Sequence, residues 1–297
     1  TVDPNDHYIP EDIYPNMLSY PAEADGPCAV IQTARKPYEW SDATINFKRP
    51  DKNNLVIYEL WVYDFSPLHS FDAITKRLDY IENLGVNAIE FMPICEFEGN
   101  VSWGYNPTHY FALDKAYGTP ESFKALVDEC HKRGIAVIVD MVFNHGTGQQ
   151  PFAKLYWQGN ATAENNPWYN RVARHPFNVF HDINHGYPGT RKYFKRALQY
   201  WVEEYKVDGY RMDLTKGFTT HNYGDNGQKG DWSRYDAGRI EIIKDYCDAA
   251  KSINPNTYFI IEHLGDNREE VEYAKYGILF TIYRLCACIM CAAEAYA

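Results

Sequence analysis

The segment Val207-Asp208-Gly209-Tyr210-Arg211-Met212-Asp213 reads as a short buried strand that ends in charge. Side chains alternate faces along a strand, so Val207, Gly209, Arg211 and Asp213 share one side, and Asp208, Tyr210 and Met212 the other. A fixed cation therefore sits beside a carboxylate at the strand's mouth. An arginine that close orients Asp213 and favours its ionised form, which suits a carboxylate that attacks or that stabilises positive charge. A structural ion pair closing a strand end would leave the same signature. Two further apolar runs end in the same way, Ile135 to Val142 at Asp140 and Tyr258 to Ile261 at Glu262. Three strand ends carrying acids point to a shared mouth.

Composition narrows what such a mouth would receive. The chain has 297 residues and a formal net charge of -11, which leaves no basic surface to neutralise phosphates. Nucleic acid and anionic membranes are poor partners, and an uncharged substrate is expected. Aromatic residues make up 16% of the chain, including 25 Tyr and 7 Trp, the flat amphipathic surfaces on which sugar faces stack. Seven Cys form no even framework, so a disulfide scaffold is not expected. Residues Thr1 to Asp6 show neither the basic start nor the apolar run of a signal peptide, and with no initiator Met the sequence is expected to belong to a longer chain. Localisation stays open.

The elements that must position these acids follow from periodicity. Residues 1 to 54 hold seven of the 16 Pro and read as a linker and the tail of an upstream module. Leu55 to Val62 reads as the first strand. Phe71, Ile74, Leu78 and Ile81 then recur at helical spacing between a Ser70 cap and a Gly85 stop. Val86 to Met92 is a second strand, and Thr119-Pro120 opens a helix whose apolar face is Phe123, Leu126, Val127 and Cys130. After the third strand, Ile135 to Val142, residues 146 to 188 form a long inserted loop of the kind that is usually functional. Further helix and strand pairs are Tyr193 to Tyr205 with Val207 to Asp213, and Ile240 to Ile253 with Tyr258 to Glu262. A short helix at Glu269 to Ala274 leads to a sixth strand, Gly277 to Phe280. Strict alternation with acids at the C-terminal strand ends predicts an α/β fold of the (β/α)8 barrel type, truncated after about six strands.

Three motifs then fall in order: Asp140-Met141-Val142-Phe143-Asn144-His145, Gly209-Tyr210-Arg211-Met212-Asp213 and Ile260-Ile261-Glu262-His263. Together with Trp103-Gly104-Tyr105-Asn106-Pro107 and His181-Asp182-Ile183-Asn184-His185, this ordered set resembles the α-amylase family of retaining glycoside hydrolases and transglycosidases, over roughly residues 55 to 280. The resemblance implies Asp213 as nucleophile, Glu262 as acid/base and Arg211 as the group that positions Asp213. It further implies that Asp140 and His145 hydrogen-bond the sugar at the cleavage point, that Tyr105 stacks on that ring with Trp103 nearby, and that Lys216 reaches the leaving-group side. Glu262 follows Phe259-Ile260-Ile261, an apolar run expected to keep it protonated near neutral pH. Read alone, Tyr105 is equally a core aromatic at a turn and Asp140 a strand-end cap. No cofactor is required by this chemistry. Asn144 and Asp182 match positions that hold a structural calcium in many members, although the position after Lys216, often a His, is Gly217.

The expected activity is hydrolysis of α-1,4-glucans by double displacement. A branching-type transglycosidase is the alternative within the enzyme class, and a catalytically silent glucan-binding protein the alternative outside it. A metal-dependent barrel hydrolase would want paired His at the end of the first strand, and Val56 to Asp64 contains none. The family's fourth motif, a His-Asp pair on strand seven, has no counterpart after Phe280, where residues 281 to 297 form an atypical tail. Its Cys286, Cys288 and Cys291 lack the His or acid partners of a metal tract. A truncated or out-of-frame end, and an inactive chain as it stands, are expected.

Overall fold

A computed structural model describes residues 21, 23–24, 28–225 and 229–281 of the chain. Of the tail read over residues 281 to 297, all but Thr281, its three cysteines included, lies outside the described residues. Six parallel strands form one sheet: β1 (Ile57–Leu60), β2 (Ala88–Phe91), β3 (Ala136–Met141), β4 (Gly209–Met212), β5 (Tyr258–Ile261) and β6 (Leu279–Phe280). Each pairs with the next in chain order. A doubly wound sheet reverses its strand order at a switch point, whereas this uninterrupted order is the winding of a (β/α) barrel.

The strands are nearly continuous apolar runs because both faces are covered. Ala88, Ala136, Ile138, Ile260 and Leu279 face inward and cluster with Phe47, Leu55 and Ile57. Ile89, Phe91, Val137, Val139, Met141, Tyr210, Met212, Phe259 and Ile261 belong to the larger core that includes the helices. Those helices are α1 (Phe71–Thr75), α2 (Leu78–Asn83), α3 (Pro120–Lys132), α4 (Pro188–Tyr205), α5 (Ala237–Ile253) and α6 (Asn267–Lys275). Ser70 and Thr119 cap α1 and α3 through their side chains, as their positions predict. On β4 only glycine fits at 209, since a Cβ there would lie 2.5 Å from Tyr258 Cβ.

Several elements differ from the sequence reading. The helix predicted over Phe71 to Ile81 is split into α1 and α2, where the Thr75 hydroxyl donates to the Phe71 carbonyl at 3.0 Å. Such back-bonding competes with the helical ladder, yet Phe71, Ile74, Leu78 and Ile81 all stay buried. The first strand is confined to β1, because Val62 already begins a short helix, Val62–Phe65. Between β2 and α3 the chain makes an antiparallel hairpin, Cys95–Phe97 with Pro107–Leu113, that periodicity did not single out. The long insertion carries only small pieces: His145–Gly146 against His181–Asp182, Trp157–Gln158 against Ala161–Thr162, and a short helix, Pro151–Lys154. No helix among the described residues is long and apolar enough to cross a membrane.

Candidate active site

Strand register brings the acids together. Arg211 on β4 is level with Asp140 on β3 and with Ile260 on β5. The ladder continues one residue beyond the strands: Asp213 N–H donates to Met141 O and Glu262 N–H to Met212 O, each at 3.0 Å. The Arg211 guanidinium then serves three carboxylates. Its Nη1 lies 2.9 Å from both Asp140 Oδ2 and Asp213 Oδ1, and its Nη2 lies 3.0 Å from Glu262 Oε2. Asp213 also feels the charge of Glu262 across this shared guanidinium.

One cation divided among three acids cannot hold each of them anionic with full strength. Burial pushes Asp213 up to about 6; the Arg211 charge opposes this, while the negative charge of Glu262 adds to it. Asp140 is likewise raised well above the carboxylate range, by burial first. The expected protective effect of Arg211 on Asp213 is therefore diluted. The expected apolar pocket around Glu262 also differs: Phe259 and Ile261 pack outward and Ile260 inward, while the carboxylate itself accepts from Leu214 N–H at 3.2 Å and keeps 22% of its side-chain surface exposed. A fourth acid, Glu90 on β2, faces the same interior and feels the charges of Arg211 and Glu262; burial pushes it up to about 7. Sequence reasoning passed over Glu90, although a lone acid inside an apolar strand was a signal.

The residues around this centre were named from the sequence, and most of them gather here. The Tyr105 hydroxyl donates to Asp140 Oδ2 at 2.8 Å, which makes Tyr105 part of the mouth and not merely a turn aromatic. His145 is buried, 2.7 Å from the Tyr105 carbonyl through Nε2, and burial lowers its pKa to about 4, so it is a neutral hydrogen-bonding group. Trp103 stands exposed in the connection of the 95–113 hairpin, edge-on to Trp61 at 6.3 Å. The adjacent Gly104 has φ +91, and a Cβ there would meet Pro93 O at 2.2 Å. Lys216 is held elsewhere on the rim: Nζ donates to Ser233 Oγ and Leu264 O at 3.0 and 3.2 Å and lies 4.1 Å over the Trp232 ring. Sequence reading missed Trp232 and Ser233, which no local pattern links to Lys216.

Asn144 and Asp182 are brought together by the pairing of His145–Gly146 with His181–Asp182. Asn144 Oδ1 is buried without a hydrogen-bond partner. Asp182 Oδ2 accepts from Asn170 Nδ2 and Arg174 N–H at 2.7 and 3.1 Å, while its Oδ1 faces His175 Nε2 at 3.4 Å. Gly217 closes the cradle, since a Cβ there would lie 1.7 Å from Asn144 Oδ1 and 2.8 Å from His175 Nε2. Unpartnered buried ligand atoms, Asn144 Oδ1 and the His175 nitrogens, gathered where a Cβ at 217 would collide with them, suit a cation. The imidazole among them departs from the all-oxygen shell of calcium.

A family model described as the alpha amylase catalytic domain matches residues 46–181. A malto-oligosyltrehalose trehalohydrolase from Saccharolobus solfataricus is 36% identical over 178 residues, 59% of this chain and 30% of that protein. A 1,4-alpha-glucan branching enzyme from Kitasatospora aureofaciens is 33% identical over 221 residues, 71% of this chain and 28% of that protein. The chain thus spans about a third or less of the length of these curated relatives. The solved structure of Eubacterium rectale Amy13B superposes with a TM-score of 0.63 at 25% identity, covering 84% of this chain and 52% of that one. Acids ordered along consecutive parallel strands, the winding of those strands and these likenesses agree, and the chain belongs to the α-amylase family of glycoside hydrolases.

Proposed function

We propose that this chain carries the nucleophile, acid/base and inner sugar contacts of an enzyme that cleaves α-1,4-glucans with retention, and that the observation supporting this best is the single guanidinium shared by Asp213 and Glu262. Two carboxyls held on the two terminal nitrogens of one guanidinium fit the short separation of a retaining pair better than the roughly 6.5 to 9.5 Å of an inverting pair with a water between them. In the first step Asp213 Oδ attacks the anomeric carbon as the glycosidic C–O bond breaks, and Glu262 gives its proton to the departing oxygen. In the second, Glu262 takes a proton from water, whose oxygen displaces Asp213. Arg211 aligns both groups. Asp140 offers its unpartnered Oδ1 as acceptor to a sugar hydroxyl, the neutral His145 holds the Tyr105 carbonyl in place, and Tyr105 presents its face to the ring.

The branching-enzyme likeness supports transfer to a second glucan in place of water as the other reading. Products from amylose separate the two, since transfer makes α-1,6 branches and hydrolysis makes reducing ends.

In the intact protein, Glu262→Gln is expected to lose about 10² to 10⁴ in rate on amylose but to keep most of its first-step rate on an α-glucosyl fluoride, which needs no proton donor. Asp213→Asn is expected to lose on the order of 10⁴ or more on both. With Asp213 at about 6, the first step slows as pH falls through 6 and the nucleophile protonates. Equal losses for the two variants on the fluoride would refute the role assignment.

A further inference from the structure

The junction between the 146–188 insertion and the barrel rim holds polar atoms that nothing in the fold satisfies. Asn144 follows β3, His175 and Asp182 lie in the insertion, and all three are buried to within 2% of full burial. Asn144 Oδ1 and both ring nitrogens of His175 have no hydrogen-bond partner. The ring is oriented instead by stacking on Trp232, with centroids 5.0 Å apart and planes 6° from parallel, and this aims Nε2 at Asp182 Oδ1. Their 3.4 Å separation is too long for a good hydrogen bond, and it is about the spacing of two ligands held at roughly 2.1 Å on one tetrahedral ion. Among the described residues no three His, Cys, Asp or Glu side chains gather to hold a metal; this set reaches three donors through the Asn144 amide oxygen.

We propose that Asn144, His175 and Asp182 form a site for a divalent cation that accepts imidazole, of the zinc and cobalt class, in preference to calcium. Calcium takes six to eight oxygens, whereas a site of one nitrogen and two oxygens suits a borderline ion. The cation ties the insertion to the barrel rim beside the turn carrying Lys216 and Gly217. This site does not depend on the glycosidase reading.

The test uses Co²⁺, because zinc is spectroscopically silent whereas a cobalt thiolate, which would report adventitious binding at a cysteine, is recognised by its charge-transfer band. The metal-free chain is titrated with Co²⁺ and separately with Ca²⁺, reading visible absorption and Tm. Expected are one equivalent of Co²⁺ bound with d–d bands and no thiolate band, a Tm rise of at least about 4 °C at hundredfold excess over Kd, and weaker binding of Ca²⁺. His175→Ala is expected to weaken Co²⁺ more than about tenfold and to abolish its advantage over Ca²⁺. Where that variant does not fold, His175→Gln, which keeps a polar side chain of similar reach, carries the same expectation. Absence of saturable Co²⁺ binding, tighter binding of Ca²⁺ than of Co²⁺, or unchanged Co²⁺ affinity in a folded His175 variant would each overturn the proposal.

Discussion

At the scale of single residues, the interior of this sheet is governed by a shortage of positive charge. Glu90 shows the consequence most directly, because it is 5% exposed and its burial outweighs its attraction to Arg211, with Glu59 and Glu262 adding to the upward push. A carboxyl whose folded pKa is raised above the unfolded value stabilises the fold at low pH and loses that contribution as pH climbs from the unfolded value through the folded one, here from 4.5 to about 7. The shift amounts to at most about 3 kcal/mol. Glu90→Gln, neutral at every pH, is expected to be more stable than the parent by about 1 to 3 kcal/mol at pH 8 and to differ by less than about 0.5 kcal/mol at pH 4. Urea unfolding at the two pH values measures this, and a variant no more stable at pH 8 would show that Glu90 is adequately paired when charged. Asp140, Arg211, Asp213 and Glu262 were legible because each interrupts or ends an apolar run. That three of them share one guanidinium was not, since it depends on the register of three strands distant in the chain.

At the scale of elements, the turn after β4 and the chain after β5 are held by an ion cluster between α5 and α6. Arg239 Nη2 and Nε lie 2.7 and 3.1 Å from the two oxygens of Glu269, whose Oε2 is also 2.6 Å from His263 Nε2. Arg239 Nη1 donates to Lys216 O at 3.0 Å, and His263 Nδ1 lies 3.1 Å from Thr215 Oγ1, so the cluster fixes the backbone beside both Lys216 and Glu262. Burial alone would raise the Glu269 carboxyl, but the hydrogen bonds from His263 and Arg239 outweigh it and hold it below its usual value. All three side chains are fully buried, so Glu269→Gln leaves a buried guanidinium half-paired and is expected to cost about 3 to 5 kcal/mol at neutral pH. That contribution is present above the unfolded carboxylate pKa and fades as pH falls through the lower folded value, so the gap between parent and variant should narrow below about pH 4. Denaturation curves showing a loss under about 1 kcal/mol at pH 7 would demote the cluster to surface-like strength. Helix α3 was readable from its Thr119 cap and its apolar period, and α5 and α6 from their places in the alternation of helices and strands. The cluster was not, because residues 215, 239, 263 and 269 share no spacing that a local pattern could expose.

At the scale of the whole molecule, the barrel's winding was readable from strict alternation, whereas the closure of its floor was not. Seven Pro made residues 1 to 54 read as a linker, yet the stretch between the last two, Ser41 to Pro50, is docked under the sheet. Ser41 and Thr44 donate to Asp128 Oδ1 at 2.8 and 2.6 Å, and Phe47 stacks on His131 at 4.0 Å. Arg49 Nε then lies 3.0 Å from Asp208 Oδ1, while His131 Nε2 lies 2.9 Å and the Val137 nitrogen 2.8 Å from Asp208 Oδ2. Asp208 sits on the outward side of the strand that carries Arg211, so this floor anchors β4 from below. Upstream of Ser41, Arg35 pairs with Glu121 only at the surface, a contact worth about 0 to 1 kcal/mol. Removing residues 1 to 37 is therefore expected to change stability by no more than about 1 kcal/mol. Removing residues 1 to 50 strips Asp208 of its arginine and uncovers the inward cluster that Phe47 packs against, with an expected loss of at least about 3 to 5 kcal/mol. Should the longer deletion fail to fold, Arg49→Met reads the same contact alone, with an expected cost of about 1 to 3 kcal/mol. Urea unfolding of the three proteins decides the matter: a chain beginning at residue 51 as stable as one beginning at residue 38, or an Arg49→Met variant indistinguishable from the parent, would mean that the floor segment is a passenger and that the sheet holds β4 without it.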